Sequence, residues 1–490
     1  MSSKVFNWLL ASVLIAGCAS SGSSPSAPTA AGEAPAKPTK QAGTVVIKKS
    51  RSTLLRGFEE KALGNGLRIL YVPDESLPYI SFSLLVKTGA AADPEGQEGL
   101  SAFIAEMLDK GTSKRSAQQI ARDLGVMGAD FSATSSYDYS LVSASAISSQ
   151  ADTLLKNIIE IATEPSFSDA EIERVRKQML ASIQRRVDNP DLYADLAFSE
   201  YLFGAHPYGR PVTGSAKAVK SLSKRNLIRQ YLRFYRPNNS VLAVVGKFTP
   251  EMKASIESGF GAWENREVTQ QEMPKVTEPT SVQIRLLDKP DLVQAQIRFG
   301  HIGIARNSPD FLKLRLANTI LGGAFASRLN DRLRKDLGLT YSIGSSFDAR
   351  RDRGPFTVET FTKNASVGQA VAETLKVLEA FKTNGVTDQD VSRAKGYLKG
   401  IFPASIESAD KLAFNLMVLR LYGIPDDYLS DYLDNVDDLS RSDVNDAIKK
   451  YITPEKMKIL VYSNAKEVAP QLKTIAPAEG AVEVKKATEL

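Results

Sequence analysis

The chain states one plan twice, and a repeated plan confines it to a fold of two related domains. The segment LRILYVPDESLPYISFSLLVKTGAAADPEGQ reads as two strands joined by a turn and followed by a polar loop. GLSAFIAEML comes next, with apolar residues at helical spacing. Further along, SVQIRLLDKPDLVQAQIRFGHIGIARNSPD repeats the strands and loop, and FLKLRLANTILGG repeats the helix. The closing portions agree as well. FYRPNNSVLAVVGKFTPEMKASIESGF and KKYITPEKMKILVYSNAKEVAPQL each pass from a helix end through a turn to a strand and a second helix. The expected fold class is therefore α+β, with two homologous domains, each an antiparallel-rich mixed sheet covered by helices. Their expected extents are residues 51–265 and 281–476, a size ordinary for domains. Polar, proline-containing residues 266–280 are the expected linker, and residues 477–490 a flexible tail.

Charge and histidine content exclude several functions. The net charge of +6 is the small difference between 62 basic and 56 acidic residues, too thin an excess to point to nucleic acid. Runs such as KRSAQQIARD and RVRKQMLASIQRR read as solvated helix faces. The chain has two histidines, His206 and His301, and one cysteine, Cys18. A zinc site of His and Cys ligands within the chain is nearly excluded on that count. Neither histidine lies beside a nucleophile signature, so structural hydrogen bonding is the expected role of both.

The first residues read as an address. Lys4 precedes an apolar stretch from Val5 to Ala16 that is too short for a stable membrane span, so residues 1–17 are the expected signal peptide. Ala-Gly-Cys at its end resembles the bacterial lipobox, which implies a lipid-modified Cys18 and a periplasmic, membrane-anchored protein. Ala19, in place of an Asp, resembles lipoproteins passed on to the outer membrane. Residues 18–50 are expected to be a tether, because the Ser, Ala, Pro and Gly of SSPSAPTAAGEAPAKPTK cannot bury enough apolar area to fold. Fully extended, the stretch from Ala19 to Gly43 would span about 80 Å.

The helix GLSAFIAEMLDKGT carries the resemblance to a family. It is similar to the metal helix of the insulinase and pitrilysin type of zinc metallopeptidases, to which the mitochondrial processing peptidase belongs. In those enzymes the helix carries H-x-x-E-H: two histidines hold zinc and the glutamate activates water. Aligned without gaps, Ala102 stands at the first histidine, Ala105 at the general base and Glu106 at the second histidine. The family's remaining ligand, a glutamate, lies on a second helix. Here the matching segment is SDAEIERVRKQMLASIQRRVDNP, expected to open with a capping box of Ser168 and Glu171, and Ser182 falls at the ligand position. The implied metal site is degenerate, and no metal is expected in this chain.

ILGGAFASRLNDRLRKDLGLTYSIGSSFDARRDRG keeps more of the family pattern. Leu329, Leu333 and Leu337 read as an apolar helical stripe, Gly338 as its C-terminal cap, and LTYSI as a strand with Tyr341 on the face of Leu339 and Ile343. The stretch resembles the segment in which an arginine, and a tyrosine seven residues later, reach toward substrate at the zinc. Arg334 and Tyr341 match them. On the residues alone, Arg334 could instead pair with Asp331 or Asp336 and Tyr341 could be core packing. Gly322 and Gly323 read as a tight turn.

The resemblance, over roughly residues 50 to 470, implies half of a clamshell peptidase chamber. It implies the non-metal-binding subunit of a heterodimeric periplasmic zinc endopeptidase, with zinc held by a homologous, H-x-x-E-H-bearing partner. Arg334 and Tyr341 would bind peptide or unfolded polypeptide and stabilise the oxyanion. No peptidase activity is expected of the chain alone. The alternative is a catalytically silent peptide-binding or scaffold lipoprotein at the outer membrane.

Overall fold

The computed structural model describes residues 45–48, 57–270, 272–476 and 481–487. The signal peptide, Cys18 and most of the tether lie outside the described residues. The first sheet consists of β1 (Val45–Lys48), β2 (Phe58–Ala62), β3 (Arg68–Pro73), β4 (Tyr79–Val86), β5 (Asp130–Ser135), β6 (Ser140–Ile147) and β7 (Ser240–Gly246), ordered β1-β2-β3-β7-β4-β6-β5. The second consists of β8 (Gln283–Asp288), β9 (Gln294–Ile302), β10 (Ile343–Phe347), β11 (Pro355–Lys363), β12 (Lys458–Ser463) and β13 (Val482–Lys486), ordered β10-β11-β9-β12-β8-β13.

The duplication is visible strand by strand. β3 pairs parallel with β7, as β8 does with β12. β4 runs antiparallel between β7 and β6, as β9 does between β12 and β11. β5 closes one sheet as an antiparallel edge and β10 closes the other. The matched closing segments SVLAVVG and KILVYS are β7 and β12, central strands buried almost throughout, and their unbroken apolar runs suit strands covered on both faces.

The sheets differ at the opposite edge, where two expectations are corrected. Val45–Lys48, expected within the tether, pairs antiparallel with β2. Val482–Lys486, expected within the flexible tail, pairs in parallel with β8. All of VEVKK but its first residue is exposed, and its lysines suit an exposed edge. The expected capping box at Ser168 is absent too: the Ser168 side chain makes no cap hydrogen bond, and Glu171 pairs with Arg174 one turn on.

Each half covers its partner's sheet with one of its own helices. Helix Pro190–Phe203 comes from the first half, starts on Asn189, whose side chain accepts from the Asp191 and Leu192 amides, and packs on β9 and β12. Tyr193, Phe198 and Tyr201 join Ile302, Leu460 and Tyr462 in one apolar cluster. Helix Ala409–Tyr422 comes from the second half, starts on Ser408, ends on left-handed Gly423, and packs on β3, β4 and β7. Each follows a 19-residue helix, Asp169–Val187 or Asp388–Ile406.

An arginine clamps each exchanged helix. Arg298 on β9, 3% exposed, reaches Asp195 at 2.6 Å and Asp191 at 2.7 Å. Arg420 on the other helix reaches Glu60 of β2 at 2.6 Å and also holds Asp426. Between the halves, Asp138 is buried and accepts from Tyr208 at 2.8 Å, Tyr422 at 3.1 Å and the Arg351 amide at 2.7 Å. Three chain segments distant in sequence thus converge on one carboxylate.

Removing both acids opposite Arg298 leaves a guanidinium in the core without its closest counter-charges. Asp191→Ala with Asp195→Ala is expected to lower the unfolding free energy by about 3 kcal/mol, read by denaturant titration, with Arg298→Met losing less.

Candidate functional site

Helix Leu100–Met107 retains its form through its N-terminal anchor. Gly99 precedes it at φ 91, and a Cβ there would lie 2.7 Å from the Thr213 carbonyl oxygen. Buried Asp93 accepts from the Gly99 amide at 3.0 Å, the Ser101 amide at 3.0 Å and the Ser101 hydroxyl at 2.6 Å. A carboxylate at a helix start satisfies amides that have no partner within the helix. Burial nevertheless pushes Asp93 up to about 7, against those hydrogen bonds. Leu100, Phe103, Ile104 and Met107 turn into the core as the periodicity predicts.

The positions matched to the metal-site residues carry no donor set. Ala102 packs against the apolar core, Ala105 is 1% exposed, and Glu106 points to solvent. Ser182 is half-buried on helix Asp169–Val187, which lies against the Leu100–Met107 helix. Two methyls, one hydroxyl and one solvated carboxylate do not fit a zinc ion, which takes three or four N, S or O ligands from the protein. Among the described residues, no group of three or more His, Cys, Asp or Glu is placed to hold a metal.

In the second half, Asn330–Asp336 is wound as a π-helix. Leu329 and Leu333 are buried, and Leu337 only partly so. The wider turn breaks the α-helical stripe expected for these three leucines. Asn330 ties the segment to β10 by donating to the Ile343 carbonyl at 2.9 Å, and Gly338 ends it in the left-handed region at φ 58. Gly322 and Gly323, expected as a tight turn, instead end the π-helical segment Thr319–Gly323, where Gly322 lies tight under β10: a Cβ there would stand 2.5 Å from the Ser345 hydroxyl.

Tyr341 does not share a strand face with Leu339 and Ile343. β10 begins only at Ile343, and Tyr341 is 81% exposed while Ile343 is buried. A short hydrogen-bonded turn causes this: the Ser342 amide donates to the Thr340 hydroxyl at 3.1 Å, and Thr360 donates to the same hydroxyl and to the Ser342 carbonyl. The Thr340 side chain is buried and the Ser342 backbone is held by these bonds, while Tyr341 projects outward.

Arg334 is exposed and makes no ion pair with Asp331 or Asp336; Lys335 takes Asp331 at 3.8 Å. Its guanidinium lies 4.8 Å from the centre of the Phe325 ring, itself 74% exposed. A cation over an aromatic face is held in place while its N–H groups stay free to donate. Phe325 escaped the sequence reading; a lone aromatic among the small residues of LGGAFAS was the available signal. Beside it lies a hollow of about 420 Å³ whose lining includes Ile320, Ala324, Ala394 and Tyr397. Asp390 stands at this hollow. Burial would raise its pKa, but hydrogen bonds from Thr387, Arg393 and Arg328 hold it down at about 2.

Both histidines are structural. His206 accepts from the Tyr208 amide at 3.1 Å, and burial lowers its pKa. His301 lies between the Ile302 carbonyl and the Thr453 amide, and burial takes its pKa to about 4. The unfolded imidazole titrates near 6.5, so the unfolded chain binds the extra proton between those values. Stability from this residue is full above about pH 6.5 and is lost as pH falls toward 4. Wild type is expected to lose about 3 kcal/mol more than His301→Gln between those limits, measured by denaturant titration.

Comparison with known proteins accords with this geometry. Residues 68–216 match the insulinase (peptidase family M16) model, and residues 221–398 match the model of the peptidase M16 inactive domain. A protein named as a zinc protease in Bacillus subtilis is 27% identical over 350 residues, covering 71% of this chain and 84% of that protein. One of the same description in Mycobacterium bovis is 29% identical over 357 residues, covering 71% and 80%. The crystal structure of a peptidase M16 inactive domain from Pseudomonas fluorescens superposes with a TM-score of 0.77 at 26% identity, covering 83% of this chain and 98% of that one. A protease from Helicobacter pylori has the same fold, with a TM-score of 0.77 at 19% identity, covering 84% of this chain and all of that one. The chain belongs to the insulinase-like M16 peptidase family, as a member whose metal helix carries none of the H-x-x-E-H residues.

Proposed function

We propose that this chain is the non-metal-binding subunit of a heterodimeric periplasmic zinc endopeptidase, anchored through a lipid on Cys18. Zinc and the activation of water belong to a homologous partner carrying H-x-x-E-H. Arg334 and Tyr341 of this chain donate hydrogen bonds to the substrate carbonyl oxygen, and those bonds strengthen as negative charge develops on it. The observation that carries the reading is the pairing of a donor-free metal helix with a solvent-facing arginine and tyrosine, the arginine resting on an aromatic face with no ion pair among the described residues. A chain serving only as a scaffold has no need to hold those two groups outward.

The substrate class follows from the sheet edges. β5 ends its sheet beside the Leu100–Met107 helix, pairs with β6 on one side and with no other strand among the described residues, and its residues alternate between exposed and half-buried. Such an edge offers backbone donors and acceptors to an extended peptide with little regard to its sequence. Peptides or unfolded polypeptide segments fit that description better than folded proteins do.

The test is cleavage of an unstructured peptide by this chain alone, by an H-x-x-E-H partner alone, and by the mixture. Only the mixture is expected to cleave, and a chelator should stop it. Arg334→Ala or Tyr341→Phe should each cut turnover about 100-fold, or about 3 kcal/mol, with the complex still forming. A partner fully active by itself, or substitutions without effect, would replace this reading with that of a catalytically silent peptide-binding or scaffold protein.

A further inference from the structure

The near balance of charge in the whole chain conceals a strongly one-sided segment. Between Tyr201 and Pro250 there are nine Lys and Arg and no Asp or Glu. Helix Lys224–Phe234 lies in its middle. The inner face of this helix, Leu227, Gln230, Tyr231 and Phe234, is buried, and the helix packs on the Leu100–Met107 helix. Its outer face is a shallow groove lined by Lys224, Arg225, Ile228, Arg229, Leu232 and Arg233.

Two features set this face apart from an ordinary solvated helix. Leu232 is 47% exposed at its centre, with Ile228 half-buried one turn away, so apolar area is flanked by cations on both sides. Three of the four cations also lack a counter-charge among the described residues. Lys224 has Asp169 at 3.7 Å and Arg229 reaches only the neutral Gln97 at 3.4 Å, while Arg225 and Arg233 make no ion pair among the described residues. Lys217 and Lys220, exposed on the preceding helix, are likewise without an ion pair among the described residues. An apolar centre rimmed by arginines and lysines matches an interfacial surface: long basic side chains reach the headgroups while the aliphatic groups enter the acyl boundary.

We infer that the outer face of helix Lys224–Phe234 docks on an anionic lipid surface and sets the orientation of the body against the membrane. Charge complementarity and the paired apolar centre select a lipid surface, since a purely electrostatic partner would not require the apolar centre. The inference rests on the anchored reading only in that a lipid on Cys18 would keep the surface within reach. The tether enters the first sheet at β1, in the domain that carries this helix.

The experiment uses the full chain with Leu232→Trp, its emission compared with that of wild type on vesicles of phosphatidylcholine alone and of phosphatidylcholine mixed with phosphatidylglycerol. A blue shift is expected on the anionic vesicles only, reversed by high salt. Arg225→Gln, Arg229→Gln and Arg233→Gln together should weaken that response about 100-fold, and all three side chains project from the surface without an ion pair to lose. Co-sedimentation with the neutral vesicles reports the Cys18 anchor separately, so failure of the anchor and failure of this face are distinguishable. No shift on either vesicle, or the same shift on both, overturns the inference. A shift with soluble polyglutamate but not with vesicles also overturns it and assigns the face to an acidic protein.

Discussion

The two halves hold together because each gives a helix to the other's sheet. Pro190–Phe203 covers β9 and β12, and Ala409–Tyr422 covers β3, β4 and β7, so neither sheet has a complete core by itself. Each exchanged helix is held by an arginine, the buried Arg298 or the half-buried Arg420, facing two carboxylates. Apolar burial supplies most of the stabilisation, and the ion pairs choose the register, since a slip of one turn would strand a charge in the core. The relative placement of the metal helix and the Arg334 segment follows from this exchange.

That arrangement explains how a peptidase domain can lose its metal ligands and keep its shape. What holds the Leu100–Met107 helix is the carboxylate of Asp93, the left-handed Gly99 and four apolar side chains. None of these is a ligand position. Ala102 and Ala105 favour the helix and bury cleanly, so the substitutions carry no structural penalty. The family's fold and its chemistry rest on different residues, and one can be lost without the other.

Much of the fold could be read from the sequence, because the duplication is written in two independent signals, the strand-loop-helix openings and the turn-strand-helix closings. The mismatch of Ala102, Ala105 and Glu106 to the family's H-x-x-E-H could be read as well, from the absence of histidine in GLSAFIAEML. The helix exchange could not, since periodicity says that a helix has a buried face and not which sheet covers it. Tyr341 was misplaced because alternation in LTYSI outweighed Thr340, whose hydroxyl turns the backbone before the strand begins. The edge strand Val482–Lys486 was lost among small and charged residues that resemble a frayed terminus. The basic run from Tyr201 to Pro250 escaped notice because a whole-chain charge averages over opposing segments.

Whether this chain keeps the zinc-domain shape without the zinc site is decided by the zinc content of the purified protein, by itself and in complex with an H-x-x-E-H-bearing partner. No bound zinc is expected on the isolated chain, one equivalent per heterodimer, and no change in that equivalent when Glu106 is replaced by Gln. One tightly held zinc on the isolated chain, released by Glu106→Gln, would contradict the loss of the site.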